Sequence, residues 1–244
     1  MNNRYRAQSQ VSVKNNGPGL PNGHWDGISQ LQNARGKQTT TPTRPPASHY
    51  QDLSELLTIA QTLHWPNTIR AIELALFWHH GQKRRAGGDA ITHPAWVARM
   101  LHALEIRNDV IIAAAFLHDV LEDNPGRATL ADLTGLDDEV LLLVDLLTKS
   151  HNQTNDEYYR RIASSPEAVV IKLADRAHNI ATMPGAMTHE KMRQYIRETR
   201  THVLPLCRTL PKNHRFAETV GALKMNLEAH ISTYEYFLPK LPAE

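Results

Sequence analysis

An eleven-residue stretch, AAAFLHDVLED at 113–123, sets the tightest limits on what this chain can become. Its first half, Ala113 to Leu117, is apolar on every side, and its second half carries His118, Asp119, Glu122 and Asp123. A helix that is apolar all round belongs in a core. This one therefore delivers four ionisable groups to the interior. A buried carboxylate without a partner costs several kcal/mol or more, so such groups are paired or bound to metal. His118 and Glu122 are four apart, as are Asp119 and Asp123, and each pair shares a helix face. An adjacent His-Asp pair can place two ligands on one cation and leave the next turn's carboxylates beside it. On its own an HD dipeptide is most often a solvated helix end, so the rest of the chain must decide.

Length and composition exclude several classes. The 244 residues, 41% of them apolar, suffice for one good-sized core. A net charge of +2 gives no electrostatic case for nucleic acid. One cysteine, Cys207, excludes an internal disulfide framework and fits a reducing compartment. No apolar run approaches the roughly 20 residues that span a bilayer, and the N-terminus lacks the apolar core of a signal peptide. The cytoplasm is the expected location. Residues 1–50 differ from the remainder: they are rich in Asn, Gln, Gly, Pro, Ser and Thr, and carry six Lys/Arg against the single acid Asp26. That segment is net +5 and the rest net −3. It keeps no helical or strand period and reads as a disordered basic tail.

From residue 51 to 244 the pattern is helical almost throughout, and one all-α domain is expected. Asp52 or Ser54 caps a first helix that Pro66 stops; a second runs from Asn67 to about His79. The loop GQKRRAGGDAITHP (81–94) is basic and glycine-rich, and Pro94 suits the first turn of the next helix, AWVARMLHALE. The HD helix follows from Asn108 or Asp109 and ends at Asn124-Pro125-Gly126. A short TLADLTG helix leads to DEVLLLVDLLTKS, whose LLLV run at 141–144 reads as core. Pro166 then opens PEAVVIKLADRAHNIATMP, a second apolar rod with a polar island, where Asp175 and Asn179 share a face and Lys172 lies three before Asp175. Two long helices, about 189–210 and 214–237, close the chain.

His93, His118, Asp119 and Asp175 form a candidate four-ligand site of two imidazoles and two carboxylates. Mixed N/O ligation suits Mn, Fe, Zn or Co better than Cu(I) or Mg. A His on a loop, HD on one buried helix and D on another is the order of the HD-domain metalloenzymes. Four segments, GQKRRAGG…ITHPAWVARML, AAAFLHDVLED, LVDLLTKS and VVIKLADRAHNIATM, together resemble the hydrolase domain of RelA/SpoT homologues over about residues 68–210. That family removes the 3′-pyrophosphate of the alarmones (p)ppGpp. The chain resembles a stand-alone small alarmone hydrolase, since no synthetase or regulatory region accompanies the match.

The resemblance implies an HD-domain helical bundle in which His93, His118, Asp119 and Asp175 hold Mn2+. It implies that Glu122 and Asp123 orient and deprotonate the attacking water, and that Arg84 and Arg85 lie along the nucleotide, Arg85 standing where the family usually has Lys. Asn179 and Thr182 would meet sugar or phosphates, with Lys172 a further substrate contact. A metal ion lowers the pKa of its water, carboxylates accept protons, and cations meet a pyrophosphate leaving group. Two departures stand out. The loop reads Asp89-Ala90-Ile91 where the family has an aromatic in a Pro-Tyr-Ile context, and Ala181 replaces an Arg. They leave the ligands intact and put base preference in question.

Other candidates read as structural. His79, His80 and His102 are expected on helix faces, and His178 to point away from Asn179 by about 100°. Arg176 is expected in a core-edge ion pair, and Tyr158, Tyr159 and Tyr195 in packing. The leading expectation is a metal-dependent hydrolase of (p)ppGpp or (p)ppApp. A phosphatase for the 2′-phosphate of NADPH and a non-catalytic alarmone-binding or immunity protein are the rivals. The intact Glu122-Asp123 pair argues against a pure binder. The sequence leaves open the oligomeric state and whether a synthetase toxin in the same cell is the counterpart.

Overall fold

The computed structural model describes residues 48–238, and these are helices joined by turns, with no strand among them. The reading of residues 1–47 as a tail lies outside the described residues, but Ser48–Tyr50 already belong to the first helix, α1 (Ser48–Thr62). That helix therefore starts before the Asp52 or Ser54 cap expected from sequence. Next come α2 (Pro66–Trp78), α3 (Thr92–Ala103), α4 (Asp109–Leu117), α5 (Val120–Asp123) and α6 (Asp138–Leu147). The second half holds α7 (Asn155–Ile162), α8 (Pro166–Thr182), α9 (His189–Glu198), α10 (Leu204–Leu206) and α11 (Ala217–Phe237). No described helix is long and apolar enough to cross a membrane.

Two rods carry the core. All seven residues from Ile111 to Leu117 of α4 are buried, and α8 buries every residue from Ala168 to His178 except Lys172. Each fully buried Ile, Leu or Phe stabilises the fold by about 1.5–3 kcal/mol through lost apolar surface. α4 lies against α2, α3 and α6; α8 lies against α3, α11, α6 and α4. α3 is thus wedged between the two rods, and its N-terminal His93 faces the end of α4 and the middle of α8.

The starts of α4 and α2 are fixed by side chains of α4 and its N-cap. Asn108 caps α4 by accepting from the Ile111 amide (2.9 Å). Asp109 reaches across to α2 and accepts from the first-turn amides of Asn67 (3.0 Å) and Thr68 (2.7 Å). Those donors have no partner within their own helix. The Asn67 amide group then donates to Asp137 (2.8 Å), which precedes α6.

Three sequence expectations need correction. The HD segment is not one helix: α4 stops at Leu117, His118 and Asp119 form a turn, and α5 restarts at Val120. The His118 ring donates from Nδ1 to the Ala115 carbonyl (2.8 Å), the acceptor an unbroken helix would offer to the Asp119 amide. The helix expected at 189–210 changes pitch to a π turn over Thr199–Val203 and ends at Leu206. Pro205 has no N–H to continue the α ladder, and Thr199 Oγ1 donates back to the Tyr195 carbonyl (2.8 Å). Within the 141–144 run, Leu143 and Val144 are core but Leu142 is 60% exposed on the outer face of α6.

Arg176 is the buried ion pair expected from sequence. Its guanidinium donates to Glu198 and to the Tyr159 hydroxyl (2.6 Å each) and lies 4.0 Å from the Tyr195 ring, tying α8 to α7 and α9.

Candidate metal centre and substrate cavity

His93 comes from the first turn of α3, His118 and Asp119 from the break after α4, and Asp175 from the middle of α8. Three elements far apart in sequence converge on one point. His93 Nε2 lies 3.2 Å from His118 Nε2, 3.2 Å from Asp119 Oδ2 and 3.1 Å from Asp175 Oδ1. His118 Nε2 lies 3.2 Å from Asp119 Oδ2 and 3.6 Å from Asp175 Oδ1. All four ligand atoms fall within 4.8 Å of one another. Donors about 2.1 Å from a common ion sit about 3.0–3.4 Å apart. The spacing and the two-imidazole, two-carboxylate donor set therefore fit one divalent metal ion.

The neighbours fix which nitrogen faces the centre. His118 Nδ1 donates to a carbonyl, so Nε2 is where a proton and a metal compete. For His93 the orientation follows from Arg84, which can only donate. Arg84 gives a hydrogen bond to His178 Nδ1 (3.0 Å), so that nitrogen is an acceptor. His93 Nδ1, 2.7 Å from the same atom, must then carry the proton, leaving His93 Nε2 its lone pair for the metal. His178 is buried, its ring end-on to that of His93 (centroids 5.0 Å, planes 11° apart) and stacked on Trp96 (4.4 Å).

This overturns the expectation that His178 points away from the site. Asp175, His178, Asn179 and Thr182 follow the i, i+3, i+4, i+7 spacing of a single helix face. Adjacent residues such as His178 and Asn179 differ by one step and still border the same stripe. That spacing was the signal available in the sequence.

The electrostatics match an ion site. Burial opposes charge on the Asp119 and Asp175 carboxylates, yet His118 and His93 at Asp119, and Lys172 with the two imidazoles at Asp175, hold both well below the usual range. Burial likewise opposes protonation of His118, but Asp119 and Asp175 outweigh it and raise the imidazole well above its ordinary value. In the free chain the His118 proton supplies positive charge between the two carboxylates.

The centre opens into a cavity of about 540 Å³. Its wall carries Asp119 at the helix break, Asp123, Asn179 and Thr182 on the helices, Lys83, Arg84 and Arg85 on the 79–91 loop, and the apolar side chains of Ala86, Ala90 and Met187. Arg84 spans the cavity and also donates to Asn179 Oδ1 (3.1 Å) and Thr182 Oγ1 (3.4 Å). Asn179 donates in turn to Asp175 Oδ1 (2.6 Å). Arg85 is exposed at the rim. Lys83 is drawn outward to Asp89, which also accepts from the Tyr50 hydroxyl (2.5 Å).

Two predicted residues sit apart from the cavity wall. Lys172 pairs with Asp175 Oδ2 (2.8 Å) behind the centre, with its ammonium 5.4 Å from the Tyr158 ring. Glu122 faces the loop after α6 and accepts from the Lys149 amide (2.6 Å). Both Glu122 and Asp123 lie above the ordinary carboxylate range because protein displaces water from them; Asp119 adds to the shift at each. His79, expected on a helix face, is instead buried beside Asp123.

Against known proteins, the HD domain family profile matches residues 71–206, more than half of the chain. The chain belongs to the HD domain family. Among curated proteins, this HD domain is 37% identical over 154 residues to a GTP pyrophosphokinase of Streptomyces coelicolor, covering 59% of this chain and 18% of that one. It is 34% identical over 148 residues to the bifunctional (p)ppGpp synthase/hydrolase SpoT of Escherichia coli, covering 56% of this chain and 20% of that one. The chain thus spans about a fifth of the length of these relatives. A solved structure of a metazoan ortholog of SpoT, described as hydrolysing ppGpp, superposes with a TM-score of 0.53 at 23% identity, covering 78% of this chain and 97% of that one. That likeness supports the same fold.

Proposed function

We propose that this HD domain is a Mn2+-dependent hydrolase that removes the 3′-pyrophosphate of ppGpp and pppGpp. Water adds across the bond between the 3′ oxygen and phosphorus, giving GDP or GTP with a free 3′-hydroxyl, and pyrophosphate. The observation that carries the reading is the join of a four-ligand centre to a cation-lined cavity. A polyanion entering it meets Arg84 and Arg85 with one end beside His93, His118, Asp119 and Asp175. The names of the relatives, alarmone synthases and hydrolases, agree with it.

The chain's own groups divide the work. A bound divalent ion would supply a water of lowered pKa and polarise a phosphoryl oxygen. Asp123, which lines the cavity and is held above the usual carboxylate range, would take a proton from an attacking water. Arg84 and Arg85 offer planar donors to the phosphates. Asn179 and Thr182 offer an amide and a hydroxyl to the sugar edge. Glu122, fixed by the Lys149 amide, adds negative charge beside the centre rather than a wall to the cavity. Ala86, Ala90 and Met187 add apolar wall against which a purine would pack.

The test is product analysis by anion-exchange chromatography after incubation with Mn2+ and, in parallel, ppGpp, pppGpp, ppApp and NADPH. Pyrophosphate from the guanosine alarmones is expected, with loss of turnover in Asp119→Ala and in Asp123→Asn. Cleavage of ppApp alone would reassign the base, and orthophosphate from NADPH alone would reassign the substrate. Nucleotide binding with no product would make the protein a binder and refute the proposal.

A further inference from the structure

His79 closes the C-terminus of α2 and is 3% exposed. Its Nδ1 lies 2.8 Å from Gln82 Oε1. The Gln82 amide nitrogen faces two acceptors, Asn124 Oδ1 (3.1 Å) and the Asp123 carbonyl (3.4 Å), which fixes its oxygen toward His79. The His79 proton is therefore on Nδ1. The same Nδ1 stands 3.8 Å from Asp123 Oδ2, a charge–dipole contact longer than a hydrogen bond. Nε2, the acceptor of the neutral ring, is buried with no partner. A buried polar atom left unsatisfied costs about 1–3 kcal/mol. For packing alone, a leucine would fill this position without that cost. What the imidazole adds over leucine is an Nδ1–H given to Gln82 Oε1 and a polar ring edge 3.8 Å from Asp123 Oδ2.

We infer that His79, together with Gln82, is a positioning residue that sets the Asp123 carboxylate on the cavity wall. Gln82, itself held by the His79 N–H, bonds the Asp123 carbonyl and Asn124, Asn124 is anchored by its own bond to the Val120 carbonyl (2.9 Å), and the His79 ring edge stands beside the Asp123 carboxylate. The residue lines the cavity. The inference rests on the proposed role of Asp123 as proton acceptor.

The experiment compares His79→Leu, which removes the N–H, with His79→Asn, whose amide nitrogen can stand near the position of Nδ1. Turnover of ppGpp with Mn2+, metal affinity, melting temperature and the crystallographic position of Asp123 are measured for each. His79→Leu is expected to keep its melting temperature and metal affinity, to lower kcat about tenfold or more with KM little changed, and to show the Asp123 carboxylate displaced. His79→Asn is expected to restore most of the turnover. Against the residual turnover of Asp123→Asn, read in a long single-turnover incubation, His79→Leu should have no further effect. Unchanged turnover or an unmoved Asp123 in His79→Leu would overturn the inference, as would a full additional loss in the double variant. Failure of the proposed function is a separate result, seen as no ppGpp turnover by the wild-type chain; there the position of Asp123 in His79→Leu still decides the inference.

Discussion

Asp175→Ala separates what the metal centre contributes to chemistry from what it contributes to the fold. Asp175 and Lys172 are a buried pair, 2.8 Å apart, with side chains 4% and 13% exposed. Replacing Asp175 removes the anion and leaves the ammonium in the core near Tyr158. Breaking a buried pair on one side costs about 3–5 kcal/mol. For a domain of this size each kcal/mol moves the melting point by about 2–4 °C. Thermal unfolding in chelator should therefore show a fall of about 6–20 °C. The second variant, Asp175→Ala with Lys172→Met, removes both charges and should recover most of that loss, because an apolar replacement of a whole pair is near neutral. Metal affinity, measured by calorimetry, should stay lost in both. If Lys172→Met restores no stability to the Asp175→Ala chain, the pair is not the source of the cost and the reasoning fails. Lys172 would then be free to serve the substrate, as the family resemblance implied.

Metal affinity should rise with pH. His118 in the free chain is protonated up to a value well above the ordinary imidazole range, and that proton must leave Nε2 before a metal binds. Below the raised value, affinity should fall about tenfold per pH unit; calorimetry at pH 7 in buffers of differing ionisation heat should show proton release, and none would contradict the assignment. His178→Ala should weaken metal binding about 10- to 100-fold by freeing the His93 ring, without loss of the fold; unchanged affinity would refute the tautomer argument. Glu198 is held below the ordinary carboxylate range: burial opposes this, but Arg176 prevails. Its stabilising contribution is present above the unfolded value and lost as pH falls through the folded one. The melting-temperature gap between wild type and Glu198→Gln should therefore shrink on acidification, and a gap that widens would count against it.

Much of this centre was legible because ligands must be His or Asp and must arrive on buried elements. His118, Asp119 and Asp175 satisfied both conditions and His93 followed from the order of the motif; α4 declared itself by apolar residues on every face and α8 by apolar runs around a polar island. His178 was misplaced because one helical step of about 100° was treated as a change of side, although the spacing from Asp175 already placed it on the stripe. His79 could not be placed: it follows the last turn of α2, and its direction depends on Gly81, whose φ of +75° turns the chain, and on Gln82. The break at His118 was equally hidden, since it arises when a ring competes for a backbone carbonyl. The pitch change before Pro205 had a visible cause, yet a proline in a periodic run does not say whether the helix bends, widens or stops.

The Asp109 carboxylate that accepts from the Asn67 and Thr68 amides has a kinetic meaning. First-turn amides ordinarily exchange with solvent water quickly, because nothing inside the helix holds them. Here two of them are locked by a residue 41–42 positions away that itself opens the most buried rod. Their exchange requires α2 to part from α4, so these amides report the opening of the domain rather than the fraying of an end. The lock itself touches none of the four ligand residues, so the two amides should stay slow to exchange without metal.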